Sequence, residues 1–148
     1  VSLNNYIIVY AYGNRITKNE GKEIKKFARK YNKKIICIGV YQKCCDLYIK
    51  ANPFELLAYV KNADYIITDT FHGSVFSIKY NKQFAVIIRN SNRQKLGDLL
   101  ERFSLTSRSV NNIEQLEDVL IKTINYTSIN KFIEEQTNYS IEYLRKNL

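Results

Sequence analysis

The sequence predicts a three-layer α/β/α domain of Rossmann type, a parallel sheet covered by helices on both faces. Two observations carry this expectation. The runs YIIVYAY (6–12), KIICIGV (34–40) and FAVIIR (84–89) are apolar nearly throughout, as strands buried on both faces of a parallel sheet must be. Between such runs lie segments with apolar residues at helical spacing, and that alternation implies parallel strands joined by right-handed crossovers.

The elements follow in order. After the first strand, Thr17 with Glu20 three residues on forms a capping box, and Ile24, Phe27, Ala28 and Tyr31 share one helical face. The second strand is 34–40, and DLYI (46–49) is a short third. In NPFELLAYV, Asn52 caps a helix, Pro53 suits its first position, Glu55 reaches back, and Leu56, Leu57 and Val60 form the buried stripe. Strand four is YIITD (65–69), a helix covers about 73–80, and strand five is 84–89. Leu96, Leu99, Leu100 and Phe103 face one way on the next helix, SRSV (107–110) is a short last strand, and NIEQLEDVLIKTI is a capped helix. The tail to Leu148 is a final helix expected to expose Phe132, Tyr139 and Tyr143. With strand order 3-2-1-4-5-6 the chain reverses direction between strands one and four, and ligands bind outside the carboxyl ends there. Those ends are Tyr12-Gly13-Asn14 and Asp69-Thr70-Phe71-His72.

Composition bounds the partners. A chain of 148 residues, 45% hydrophobic and 25% charged, suits one folded domain and excludes general disorder. No apolar run approaches the roughly 18–20 residues that span a bilayer. The chain begins at Val1 and holds no methionine, so it is expected to be part of a longer protein. Three cysteines, two of them the neighbours Cys44 and Cys45 and the third, Cys37, in an apolar run, fit a reduced, cytoplasmic setting. One histidine and a Cys-Cys pair lack metal-ligand spacing, so neither metal nor cofactor is expected. The net charge of +9 favours an anionic partner: phosphate, nucleic acid or an anionic membrane face. Nucleic acid is set aside, because the basic residues are dispersed and match no recognition motif. Lys22, Lys25, Lys26, Arg29 and Lys30 read most simply as the solvated face of the first helix, with a membrane-facing role as the second reading.

The only histidine falls beside the expected crevice. His72 opens a helix, where free backbone N–H groups and the helix dipole favour anions and oppose protonation of an imidazole. Gly73 lets a ligand approach the backbone, and Ser74 adds a hydroxyl. The plainer alternative is a capping histidine beside a glycine needed for helix–strand packing.

ADYIITDTFHGSVFSIKYNKQFAVIIR followed by NRQKLGDLLERFSLTSR resembles the C-terminal half of the polysaccharide pyruvyl transferase family. NPFELLAYVKNADYIITD and the terminal SIEYLRKNL also fit, so the likeness spans most of 46–148, and before that only the strand pattern agrees. The resemblance implies the second Rossmann-like domain of a two-domain, glycosyltransferase-B-like bacterial enzyme of surface polysaccharide synthesis. It implies transfer of the enolpyruvyl unit of phosphoenolpyruvate to a sugar, with His72 as general acid/base. Asp69, at the strand end, is the second catalytic candidate. Thr70, Phe71, Gly73 and Ser74 are expected on the substrate, with Gly13, Asn14, Tyr10 and Tyr12 across the crevice. Characterised members resemble R-L-H-G, whereas Thr70 stands here two places before the histidine. Arg89 or Arg93 must then grip the donor's negative charge; Arg93 matches an arginine that opens the following helix in the family, and Arg108 also fits a family position. The chain alone is expected to fold but to be inactive. Two rival readings keep the same fold: the donor domain of a nucleotide-sugar glycosyltransferase, and a non-catalytic anion-binding module.

Overall fold

A computed structural model describes residues 4–13 and 15–147. The strands are β1 (Tyr6–Tyr10), β2 (Lys34–Ile38), β3 (Leu47–Ile49), β4 (Tyr65–Thr68), β5 (Gln83–Ile87) and β6 (Ser109–Val110). They form one sheet in the order β3-β2-β1-β4-β5-β6 with every pair parallel. The helices are α1 (Lys18–Lys30), α2 (Pro53–Asn62), α3 (Phe71–Lys79), α4 (Arg93–Arg102), α5 (Leu116–Ile121) and α6 (Thr127–Asn147). The α/β fold and the reversal between β1 and β4 are as the sequence predicts.

Alternation along each strand feeds two cores. Tyr6, Ile8, Ile36, Ile66, Phe84 and Val86 point to the face covered by α2, α3, α4 and the start of α6. Ile7, Val9, Ile35, Ile67, Ala85 and Ile87 point to the other, where Ile24 and Phe27 of α1 meet Leu116 and Leu120 of α5. Both expected capping boxes form, on Thr17–Glu20 and Asn52–Glu55. Val60 is buried while Leu56 and Leu57 are only half-buried, so the stripe of α2 is narrower than expected.

Three helices end alike without glycine. Asn32, Asn81 and Ser104 adopt φ of 55°, 58° and 58°. The next N–H in each case returns to a carbonyl in the last turn: Lys33 to Ala28 at 2.8 Å, Lys82 to Ser77 at 2.8 Å and Leu105 to Leu100 at 2.7 Å. Asparagine tolerates this left-handed conformation better than most residues. Each such turn lies at the amino edge of the sheet and leads the chain back towards the next strand.

Some boundaries differ from expectation. The helix after β4 begins at Phe71 because Thr70 caps it. The expected single helix after Asn112 splits into a 3₁₀ turn, Ile113–Gln115, and α5. It stops early because the Lys122 carbonyl accepts from Arg108 Nη1 at 2.6 Å and the Ile124 N–H donates to Gln83 Oε1 at 3.1 Å. Phe132 is not exposed on the terminal helix but packs edge-on against Phe103, centroids 5.6 Å apart, whereas Tyr139 and Tyr143 are exposed. The three cysteines were expected to stay unpaired. The loop after β2 instead folds Cys45 back onto Cys37, with Cα atoms 5.8 Å apart, a separation that permits a disulfide, and Cys44 is free and buried. Among the described residues no helix is long and apolar enough to cross a membrane.

The contrast along α6 is testable by thermal melts. Ile129, buried under the sheet's α3 side, should cost about 2 kcal/mol or more when changed to Ala. Cutting the chain after Gln136, beyond which the described residues 137–146 are exposed, should leave stability within about 0.5 kcal/mol, the scale of surface changes.

Candidate active site at the carboxyl edge of the sheet

The turn from β4 into α3 is built from hydroxyl groups facing inward. Thr68 Oγ1 donates to the Tyr10 carbonyl at the end of β1, 2.6 Å, and accepts the Thr70 N–H at 3.0 Å. Thr70 Oγ1 caps α3 by accepting the Gly73 N–H at 2.9 Å. Ser74 Oγ donates to the Thr70 carbonyl at 2.8 Å. A Cβ on Gly73 would lie 2.8 Å from Thr68 Cβ and collide with that side chain's hydroxyl, so only glycine lets α3 sit this close to β4. Thr70, Gly73 and Ser74, expected on the substrate, are thus buried and bonded to one another. They shape the turn.

Behind the turn lies a charge cluster. Arg89, just past β5, donates Nε to Asp69 Oδ2 at 2.9 Å, and Nη1 and Nη2 to the two oxygens of Glu20 at 3.0 and 2.9 Å. The Asp69 side chain is fully buried, and its other oxygen accepts the Tyr12 N–H at 3.3 Å. Asn92 completes the arrangement: its Oδ1 accepts the Arg89 N–H at 2.7 Å while its Nδ2 donates to the carbonyls of Asp69 and Ile87. Burial opposes ionisation of Glu20, but the bonds from Arg89 and Thr17 outweigh it and hold the carboxyl below its usual range. Burial likewise opposes the Arg89 charge, and the two carboxylates reverse that, raising its pKa. Asp69 is enclosed, and Arg89, 16% exposed, has its Nε, Nη1 and Nη2 each bonded to a carboxylate.

The outer rim carries the groups that solvent reaches. His72 stands exposed in the first turn of α3, its ring stacked on Phe76 with centroids 6.4 Å apart. The N–H groups of Phe71 and His72 have no protein partner among the described residues. Phe71 is half-buried, and Lys95 Nζ lies 4.6 Å over its ring. Arg93, exposed at the start of α4, donates to Asn111 Oδ1 at 3.2 Å. On the β1 side, Gly13 follows the exposed Tyr12, and Arg15 lies 5.7 Å from the Tyr12 ring while donating to Ser91 Oγ at 3.1 Å. Tyr10 turns its ring into the core. Asn14 lies outside the described residues. Arg108 sits at the opposite edge, buried, donating Nε to the Phe84 carbonyl at 2.7 Å, and burial lowers its pKa to about 10.

Sequence reasoning missed Arg15 and Lys95 as rim cations, Glu20 as more than a cap, and Asn92 as a brace. Lys95 shares the first turn of α4 with Arg93, a spacing visible in sequence; the long-range bonds of Glu20 and Asn92 leave no local trace. The rim offers free N–H groups and an imidazole at the start of α3, with the exposed cations Arg93 and Lys95 in the first turn of α4 and Arg15 beyond β1.

The family model described as polysaccharide pyruvyl transferase matches residues 3–92. That span takes in β1 and β2, where the sequence resemblance rests on strand pattern alone, and ends just before Arg93. Among solved structures, the glycosyltransferase SnogD from Streptomyces nogalater is similar at 15% identity and a TM-score of 0.44. The similarity covers 78% of this chain and 36% of that one, so this chain spans about a third of the length of that protein. No curated protein sequence matches this chain.

Two outcomes follow for the cluster. Arg89→Met leaves two carboxylates without their partner and should cost about 3 kcal/mol in urea melts, at the lower end for a broken buried pair because Glu20 is partly solvated. Glu20 has a folded pKa below its unfolded value of about 4.3, so its contribution is present above that pH and is lost as pH falls through the folded value. The stability gap between the wild type and Glu20→Gln should therefore narrow on acidification below about pH 4 and be flat near pH 7.

Proposed function

Because the chain belongs to the polysaccharide pyruvyl transferase family, we propose that it is the Rossmann-like half of a two-domain enzyme that moves the enolpyruvyl unit of phosphoenolpyruvate onto a sugar of a surface polysaccharide. The observation that carries the reading is the exposed His72 in the first turn of α3, at the carboxyl edge beside β1, with unpaired N–H groups next to it.

The chemistry asks for one mobile proton and a holder for negative charge. Protonated His72 gives its proton to the methylene carbon of the donor, which becomes the methyl group, and the neighbouring carbon becomes cationic. A sugar hydroxyl adds to that carbon and returns a proton to the imidazole. A second hydroxyl of the same sugar then displaces phosphate from the same carbon and closes the ketal, so diol and phosphoenolpyruvate become ketal and inorganic phosphate. Positioned proton transfer of this kind contributes roughly 10²–10⁴-fold.

The donor's charge falls to Arg93, with the free N–H groups of Phe71 and His72, because Arg89 is consumed by Glu20 and Asp69. Arg15 and Lys95 add to the field. Asp69 acts here as a positioning residue, holding the ends of β1, β4 and β5 together, rather than as a proton carrier. The acceptor sugar would enter from the Gly13 and Tyr12 side, and the companion domain would form the other wall, which leaves the chain inactive alone. One observation favours the non-catalytic reading: Thr70 turns inward as a cap at the place where an arginine is expected.

Steady-state kinetics on the complete enzyme separate the two roles. His72→Asn should lower kcat by roughly 10²–10⁴-fold with KM for the donor little changed. Arg93→Lys keeps the charge but loses the planar fork, and should weaken donor binding by about 1.5–3 kcal/mol. Turnover of His72→Asn within about threefold of wild type would remove the acid/base role.

A further inference from the structure

A second surface, independent of the transfer chemistry, lies between α1 and the connection from β2 to β3. Lys18, Lys22, Lys25 and Arg29 follow one another at spacings of four, three and four residues, which places them in one stripe along α1. All four are exposed, as is Lys43 in the facing connection. Lys18, Lys22, Lys25 and Lys43 line a groove of about 670 Å³ to which no carboxylate contributes.

Glu23, next to Lys22 in sequence, lies on a different face of α1 from the stripe, and three other nearby carboxylates are engaged elsewhere. Glu20 holds Arg89, Asp46 accepts the Ile35 N–H at 2.8 Å, and Glu117 takes Lys30 and Tyr31. No ion pair involves Lys18, Lys22, Lys25, Arg29 or Lys43 among the described residues. Like charges four apart on a helix destabilise it by a few tenths of a kcal/mol per pair, so this stripe costs the isolated fold some stability.

Next to the groove is an apolar patch that the fold leaves open. Val40, Tyr41, Leu47 and Tyr48 are between 38% and 56% exposed, and the rings of Tyr41 and Tyr48 meet edge to face at 6.0 Å. The connection that carries the patch is fixed: Gln42 is buried and donates Nε2 to the Tyr12 carbonyl at 2.9 Å. On its other side Gly21 of α1 lies so near that an added Cβ would meet Cys44 Cβ at 3.3 Å. A rigid apolar and aromatic patch flanked by lysines has the chemistry of a membrane interface, where rings enter the headgroup boundary and ammonium groups stay among phosphates.

We propose that the α1 stripe, Lys43 and the patch around Tyr41 and Tyr48 form a docking surface for an anionic lipid bilayer. Positive charge complements the acidic headgroups, and each basic residue near such a surface contributes on the order of fivefold in affinity. The β2–β3 connection leaves the same carboxyl edge of the sheet as the turn bearing His72, so docking sets the crevice beside the bilayer.

The test is sedimentation of the chain with phosphatidylcholine vesicles, with and without phosphatidylglycerol. Binding is expected only with the anionic lipid and should weaken as salt rises. Lys22→Gln/Lys25→Gln/Lys43→Gln should lower partitioning on the order of 10²-fold. Lys122→Gln/Lys131→Gln/Lys146→Gln removes the same charge from other surfaces and should change it only severalfold; circular dichroism checks that both triples are folded. The chain has no tryptophan, so Tyr41→Trp gives a single reporter whose emission should shift to the blue on anionic vesicles. No anionic-lipid binding, equal losses in the two triples, or an unshifted Tyr41→Trp spectrum overturns the proposal. So does a first triple that loses duplex DNA binding but not vesicle binding, which would make the stripe a nucleic-acid surface.

Discussion

Arg89 ties together three pieces of chain that the sequence holds far apart. Its guanidinium takes Glu20 at the start of α1 by a two-pronged bond and Asp69 at the end of β4 by its Nε. Asp69 in turn holds the Tyr12 N–H beyond β1, and Asn92 clamps the turn from β5 into α4 to the same point. A charge this little exposed is tolerated only when it is paired and hydrogen-bonded, and here Nε, Nη1 and Nη2 each meet a carboxylate oxygen. Beyond the paired ends of β1 and β4, the cluster thereby joins the segments that leave β1, β4 and β5 at the switch point.

That constraint sorts the residues at the carboxyl edge by direction. Those that face inward are spent on architecture: Thr68, Thr70 and Ser74 bond to backbone, Gly73 admits the close contact, and Asp69 and Arg89 neutralise each other. Those that face outward, His72, Arg93, Arg15 and Lys95, keep groups that a ligand can use. Thr70 illustrates the division. An arginine at that place would have to leave the cap position, so the same residue cannot both start α3 in this way and reach an anion; in the proposed reading the positive charge comes from the neighbouring helix start instead.

Much of the fold was legible because it is local. Apolar strand runs, the Thr17–Glu20 and Asn52–Glu55 boxes, and Pro53 at the first turn of α2 act within a few residues, parallel pairing followed from the strand–helix alternation, and the strand order was that of the Rossmann pattern. His72 at a helix start was legible for the same reason. The site's interior was not, since the Arg89–Glu20 and Arg89–Asp69 pairs join residues 69 and 20 apart and nothing in the local pattern distinguishes them from surface charges. Thr70, Gly73 and Ser74 were read as facing a ligand because the sequence shows which groups are polar but not which way they point. Asn32, Asn81 and Ser104 hide their helix ends, as glycine would have announced them. Phe132 was taken for an exposed ring because its partner Phe103 lies in a different helical segment.

The central claim is that the donor's charge meets the outward rim while Arg89 stays locked to its carboxylates. Titration of phosphoenolpyruvate into the ¹⁵N-labelled protein, followed by amide, arginine Nε and imidazole resonances, tests it directly. The account predicts shifts at the Phe71 and His72 amides, at the His72 ring and at Arg93 Nε, with Arg89 Nε unmoved. Movement of Arg89 Nε with a silent Arg93 and His72, or no response along the β4–α3 turn at all, would contradict it.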